Sequence, residues 1–331
     1  AAASISGTGS LFGPFWYSTT VGYIVTMLTG GEGACFKTAD AGATWTKQDT
    51  AGAPAGSDIG LIGACRDADG TGAIIHVAYW NLIAGTRTLQ YFAFDTDTDT
   101  WATPVTVQVS GSTFFISGGI SITRARGGNL FISARGRVDV STTSTVASRS
   151  TDGGASWSSA ANPLSSENAD DGIKLYPANL ADSNDIWAVF FDVSADELSL
   201  KTYDDSADSW SEQSIATSMV DSTSHRHAMF DAAVRLSDGH LLIAVWTNWD
   251  NATADLRTWD ITNAGTRTAK TDVVDTSDDC GYVTVFINQQ NDDVYVAYFG
   301  KEDGTDAAES SWPVLYKVST DGMATWGAQT T

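Results

Sequence analysis

Hydrophobic residues in this chain fall in short, evenly spaced bursts. Six seven-residue runs, at 23–29, 74–80, 130–136, 186–192, 241–247 and 294–300, start 51, 56, 56, 55 and 53 residues apart. They are rich in β-branched and aromatic residues and too short for helices, which predicts buried strands. Five of the six follow a polar turn, among them Asp67-Ala68-Asp69-Gly70, Arg126-Gly127-Gly128-Asn129 and Ser237-Asp238-Gly239-His240. Turn chemistry of this kind joins antiparallel neighbours.

A second marker keeps the same period. Thr38-Ala39-Asp40-Ala41-Gly42-Ala43-Thr44-Trp45 and Ser150-Thr151-Asp152-Gly153-Gly154-Ala155-Ser156-Trp157 both fit S/T-x-D-x-G-x-S/T-W, and Ser319-Thr320-Asp321-Gly322-Met323-Ala324-Thr325-Trp326 fits without its second glycine. Looser copies are Phe94-Asp95 with Trp101, Tyr203-Asp204 with Trp210, and Trp259-Asp260 with Thr266 in place of the tryptophan. The marks fall at 45, 101, 157, 210, 266 and 326. A fixed period near 55 residues means a repeat architecture. Four strands, A to D, with the Asp motif in the C–D hairpin, account for each unit. The expected fold is all-β: a six-bladed β-propeller of four-stranded antiparallel blades, near 1–50, 51–107, 108–163, 164–216, 217–272 and 273–331. These blades use up all 331 residues, so one domain is expected.

The repeated hairpin resembles the Asp box, or BNR repeat, of sialidase-like propellers. The resemblance runs the length of the chain and implies a structural role for the box. Its Asp would satisfy backbone amides of the turn, its Gly would take the left-handed position, and its Trp would pack between sheets. Asp40, Trp45, Asp152, Trp157, Asp321 and Trp326 are then structural, on the face opposite a ligand site.

Charge narrows the classes further. Forty acids, 34 of them Asp, stand against 18 bases, only seven of them Lys, for a net charge of −22. Such a surface resembles that of halophilic or marine extracellular proteins and disfavours nucleic-acid binding, which needs a basic footprint. No apolar stretch of about 20 residues is present, so no membrane insertion is expected. Cys35, Cys65 and Cys280 are odd in number without CxxC spacing, which argues against a disulfide framework or zinc site and predicts buried thiols. Asn251-Ala252-Thr253 fits a glycosylation sequon. Ala1 reads as a processed or trimmed end, compatible with a part of a larger exported or virion assembly.

In a propeller the B–C and D–A loops share one face around the channel. Three constellations fall there. His225-Arg226-His227 packs two of the four histidines into one loop; these side chains suit acid–base work and anion clamping. No further ligand stands at metal spacing, so neither a metal nor a cofactor is implied. Arg124, Arg126, Arg135, Arg137 and Arg149 hold five of eleven arginines within 26 residues. Of these, Arg135 and Arg137 close strand B toward the ligand face, where Arg87 and Arg226 could join them; ion pairs with Asp are the competing explanation. Last come Tyr79, Trp80, Trp249 and Trp312 beside Asp192, Asp196, Glu197, Asp250 and Glu302, with Glu167, Asp170 and Asp171 across the channel. Aromatic faces stack on sugar rings and carboxylates bind their hydroxyls.

Activity is a separate matter, since fold does not settle function. The sialidase pattern has an Arg-Ile-Pro near the start of the first blade. Here the corresponding stretch is Leu11-Phe12-Gly13-Pro14-Phe15-Trp16-Tyr17, and no arginine precedes Arg66. That argues against a true sialidase. Two classes stay open. One is an extracellular, cell-surface or virion-borne recognition propeller, an adhesin or tail-fibre part, binding glycans, anionic ones among them, through Arg137, Arg226, His225, His227, Trp80, Trp249 and Asp250. The other is a glycoside hydrolase or polysaccharide lyase with His225, His227, Tyr176 or Asp250 as catalytic candidates, and Tyr282 nearby in kind. A purely structural role is the third possibility.

Overall fold

The structure, a computed structural model, describes residues 11–28, 31–49, 52–54, 62–67, 70, 72–83, 86–109, 115–137, 143–160, 173–178, 184–192, 195–217, 219, 230–246, 254–274, 279–301 and 313–331. These form six small antiparallel sheets in a ring, a six-bladed β-propeller. Blade 1 holds β1 (Leu11–Trp16), β2 (Gly22–Leu28), β3 (Glu32–Thr38) and β4 (Thr46–Lys47). Blade 2 holds β5 (Ile62–Arg66), β6 (Ile74–Ile83), β7 (Thr86–Asp95), β8 (Thr100–Trp101) and β9 (Val105–Val109). Blade 3 holds β10 (Phe115–Arg124), β11 (Leu130–Arg137), β12 (Thr143–Ser150) and β13 (Ser158–Ser159). Blade 4 holds β14 (Lys174–Pro177), β15 (Ile186–Asp192), β16 (Glu197–Asp204) and β17 (Ser209–Ala216). Blade 5 holds β18 (Phe230–Val234), β19 (Leu241–Trp246), β20 (Leu256–Ile261) and β21 (Arg267–Ala269). Blade 6 holds β22 (Asp279–Asn288), β23 (Asp293–Lys301) and β24 (Val314–Ser319).

First strands of successive blades lie against one another, β1 on β5, β5 on β10, β10 on β14, β14 on β18 and β18 on β22, so they line the axis. The six apolar runs are the second strands. β15 is buried at every position because a neighbouring blade covers each of its faces. Alternation then sorts side chains between neighbours. Ile75, Val77 and Tyr79 of β6 join a core with blade 1, while Ala78 and Trp80 of the same strand join one with blade 3. Two blades depart from the four-strand plan. In blade 2 the outer strand is split into β8 and β9 around Ala102-Thr103-Pro104, since proline has no N–H for the ladder, and β9 carries the blade to Val109. In blade 6 a bridge between Tyr316 and Thr330 stands at the outer edge.

Three hairpin turns share one bonding scheme. In the second, Ser150 Oγ donates to Asp152 Oδ1 (2.8 Å) and accepts from Gly154 N (2.8 Å). Asp152 then accepts from Ser156 N (2.9 Å) and Ser156 Oγ (2.5 Å), and Trp157 Nε1 donates to Gly154 O (3.2 Å). Asp40 and Asp321 repeat it, with Thr44 N at 2.8 Å and Thr325 N at 2.9 Å. Each turn holds two consecutive left-handed residues: Ala41 and Gly42, Gly153 and Gly154, Gly322 and Met323. Trp157 packs on Tyr91 of blade 2, with centroids 5.3 Å apart, and Trp326 Nε1 reaches Thr271 O of blade 5 at 2.8 Å. In the looser copies Asp95 and Asp204 instead cap their own turns, and Asp99 and Asp208 accept from Tyr23 (2.7 Å) and Tyr203 (2.6 Å).

Candidate functional site

The sequence assigns its candidate contacts to B–C and D–A loops, and few of them are among the described residues. His225, Arg226, His227, Trp249, Asp250 and Trp312 lie outside, as do Glu167, Asp170, Asp171 and Glu302. Arg137 ends β11, in register with Phe115 and Thr143.

Trp80 is corrected. It is 3% exposed and packs with Ala78, Leu89, Ile120, Ile122 and Leu130 in the core between blades 2 and 3. A strand covered on both faces leaves its indole no open side for a sugar ring. Tyr79, also buried, donates to Gln90 Oε1 at 2.9 Å.

Tyr176 sits in β14, register-paired with Trp187 and packed on the core of blades 4 to 6. Burial, then the charge of Asp231, pushes its phenol well above the usual range. Tyr17, Tyr23, Tyr91 and Tyr203 shift upward likewise, foremost through desolvation.

Acidic residues do meet in blade 4. Oxygens of Asp192, Glu197 and Glu212 lie within 4.8 Å of one another, a set that could hold a cation. Glu197 accepts from Ser199 Oγ (2.8 Å) and Ser214 Oγ (2.7 Å), and Lys201 Nζ stands 3.3 Å from Glu212. Lysine thus already supplies positive charge. Asp192 is 4% exposed, so this end of the set is shut off from a bulky ligand.

Two members of the arginine cluster are engaged between blades. Arg124 pairs with Asp67 of blade 2, and Arg149 with Asp205 of blade 4 at 2.8 Å, so both tie blades together. Asp67 also accepts from buried His76 (3.3 Å), whose other nitrogen meets Tyr91 Oη at 2.7 Å. The sequence reading missed this network, and also Arg257, Trp259 and Arg267 at the outer rim of blade 5. Arg257-Thr258-Trp259 on one strand was a visible signal; the approach of blade 4 to it was not.

No protein-family model matches the chain, and no curated protein does. Solved structures do. The Hadza microbial sialidase Hz136 aligns at 15% identity and TM-score 0.55, over 89% of this chain and 61% of its own. Trypanosoma rangeli sialidase with the inhibitor DANA aligns at 14% and 0.54, over 90% and 54%. A triple arginine-to-alanine mutant of AofleA from Arthrobotrys oligospora aligns at 12% and 0.53, over 96% and 88%. At these identities the likeness is one of fold. The chain spans 54–61% of the length of these two sialidases.

Proposed function

We propose that this propeller recognises glycans, anionic ones included, at the face where its B–C and D–A loops converge. The observation that carries the reading is β1. A sialidase-type propeller would place substrate-gripping arginine there; this innermost strand reads Leu11-Phe12-Gly13-Pro14-Phe15-Trp16 and holds no cation. The scaffold stands here without that first-blade arginine. His225, Arg226, His227 and Arg137 would clamp acidic or sulfated groups, Trp249 would stack on a ring, and Asp250 would take hydroxyls.

In this reading the turns of Asp40, Asp152 and Asp321 are Asp boxes that build the opposite face, as their hydrogen bonds support. The acidic surface suits an extracellular, cell-surface or virion-borne setting. The test is a glycan array at high and low salt, with bound polysaccharides assayed for new reducing ends. Binding without shortening is expected, weakened in a His225→Ala/His227→Ala double variant. Reducing ends that vanish in that variant would make the protein a hydrolase or lyase instead.

A further inference from the structure

One cavity opens away from the axis. It measures about 250 Å³ and lies between blades 4 and 5, lined by Ile215, Ala216 and Thr217 from the end of β17 and by Arg257, Trp259, Arg267 and Ala269 from β20 and β21. Both β17 and β21 are the outermost strands of their blades, so the cavity faces the rim. We propose that this cleft binds a single sugar ring carrying an anionic group, a carboxylate or a sulfate.

Charge is the first argument. The chain carries −22, yet both ionisable residues lining this cavity are arginines. Among the described residues, neither makes a close ion pair with an acid. Arg267 has one polar partner among the described residues, the Ile215 carbonyl, to which Nη1 donates at 3.5 Å. That contact holds the guanidinium across the cleft and leaves most of its five N–H donors for a ligand. Arg257 Nε stands 3.9 Å from Asp272, with the two side chains 36% and 41% exposed, a loose pair of little energetic weight.

Preorganisation is the second. The Arg257 guanidinium lies 4.8 Å from the centroid of the Trp259 ring, a cation–π contact. Trp259 is itself buried, 4% exposed, so it is a fixed platform that restricts the arginine's rotamers. Side chains ordered before binding lose less entropy when a ligand arrives. Residues 257 and 259 share a face of β20 because strand side chains alternate, and 267 follows in the paired strand, where Ile261 faces Arg267.

Size and lining set the rest of the ligand. A volume of about 250 Å³ falls just below the roughly 300–1,000 Å³ of sites for drug-sized molecules, which selects one ring over an oligosaccharide buried along its length. Ile215, Ala216 and Ala269 offer apolar contact to C–H faces, and Thr217 offers a hydroxyl. Two guanidinium forks suit the planar carboxylate or the tetrahedral sulfate.

The inference stands on this geometry and not on the channel-face reading, and the experiment keeps the two apart. The full chain is titrated at low salt with D-glucuronate, glucose 6-sulfate, glucose and inorganic sulfate, followed by ligand-observed NMR. Binding of either acidic sugar near millimolar, with glucose silent, is expected. Arg267→Gln, at an exposed position, should weaken it about tenfold, the scale of one charge-assisted hydrogen bond, with an unchanged melting curve. Arg257→Gln should act in the same direction. The His225→Ala/His227→Ala variant should leave it untouched. Equal response to glucose, equal response to inorganic sulfate, or loss in the histidine variant but not in Arg267→Gln would each overturn the proposal.

Discussion

The paired glycines of the blade 3 hairpin allow a sharp test of what holds that turn. Both are left-handed, Gly153 at φ 72° and Gly154 at φ 96°. A Cβ on Gly153 would meet nothing within 4 Å, and the equivalent residue of blade 1 is already an alanine, Ala41 at φ 58°. Gly153→Ala therefore adds only left-handed strain, about 1–2 kcal/mol. A Cβ on Gly154 would stand 2.2 Å from Tyr91 Cε1 and 2.6 Å from Cζ. Tyr91 cannot yield freely: it is buried, packs at a tilt against Trp157, and both stacks on His76 and bonds it at 2.7 Å. Gly154→Ala adds overpacking of about 1–3 kcal/mol to the strain, a total of about 2–5 kcal/mol. The matching Gly42 has its nearest atom at 3.7 Å, so Gly42→Ala should follow Gly153→Ala and not Gly154→Ala. Urea unfolding followed by tryptophan fluorescence, compared at equal slope, reads all three. Equal midpoints for Gly153→Ala and Gly154→Ala would refute the reasoning, because the ring contact should set them apart, and Gly42 at φ 91° controls for the wider dihedral of Gly154.

Three further outcomes are expected. Trp80→Ala should lower stability by about 3–5 kcal/mol, as for other buried aromatics, and leave glycan-array binding of the folded fraction unchanged. Burial holds the pKa of His76 below its ordinary 6.5, outweighing the pull of Asp67. A depressed histidine favours unfolding once the unfolded chain takes up the proton, so its contribution is full above pH 6.5 and falls away below it; a His76→Gln variant should flatten the pH 7.5 to 5 dependence of the urea midpoint. Hydrogen bonds from the Ser156 hydroxyl, the Ser156 amide and the Ser150 hydroxyl lower Asp152 to about 2, and Asp40 and Asp321 behave alike. Their stabilising effect is present above the ordinary 3.8 and lost as pH falls through about 2, and carboxyl-carbon NMR titration should place these three midpoints below those of other Asp side chains.

Met323 shows how far a repeat can drift. It stands where the other turns have Gly42 and Gly154, left-handed at φ 68°, and is 1% exposed in the core of blades 4 to 6. Its strain is offset by burial, so the loss of glycine in the motif did not mean loss of the turn.

Much of the fold was legible because its causes are local. Period-two burial, turn-forming Asp, Asn and Gly, and an apolar run every 55 or so residues determine strands, hairpins and their number, and the six runs are the six second strands. The Thr38, Ser150 and Ser319 turns bond within eight residues, so their geometry follows from their own side chains. Which partner a side chain meets across a blade interface is a different kind of information. Trp80 looked like a stacking platform until both faces of β6 proved covered; for Arg124 and Arg149 an ion pair with some Asp was already expected, but which one, Asp67 or Asp205 of another blade, only the ring decides. Arg257 and Trp259 were adjacent in the strand all along, but the carbonyl of Ile215 that spans their cleft comes from a residue more than forty positions earlier. The sequence by itself determined what each blade is, through contacts a few residues apart; only the tertiary structure decided what lies between blades, because burial and charge pairing there depend on surfaces brought together by the ring.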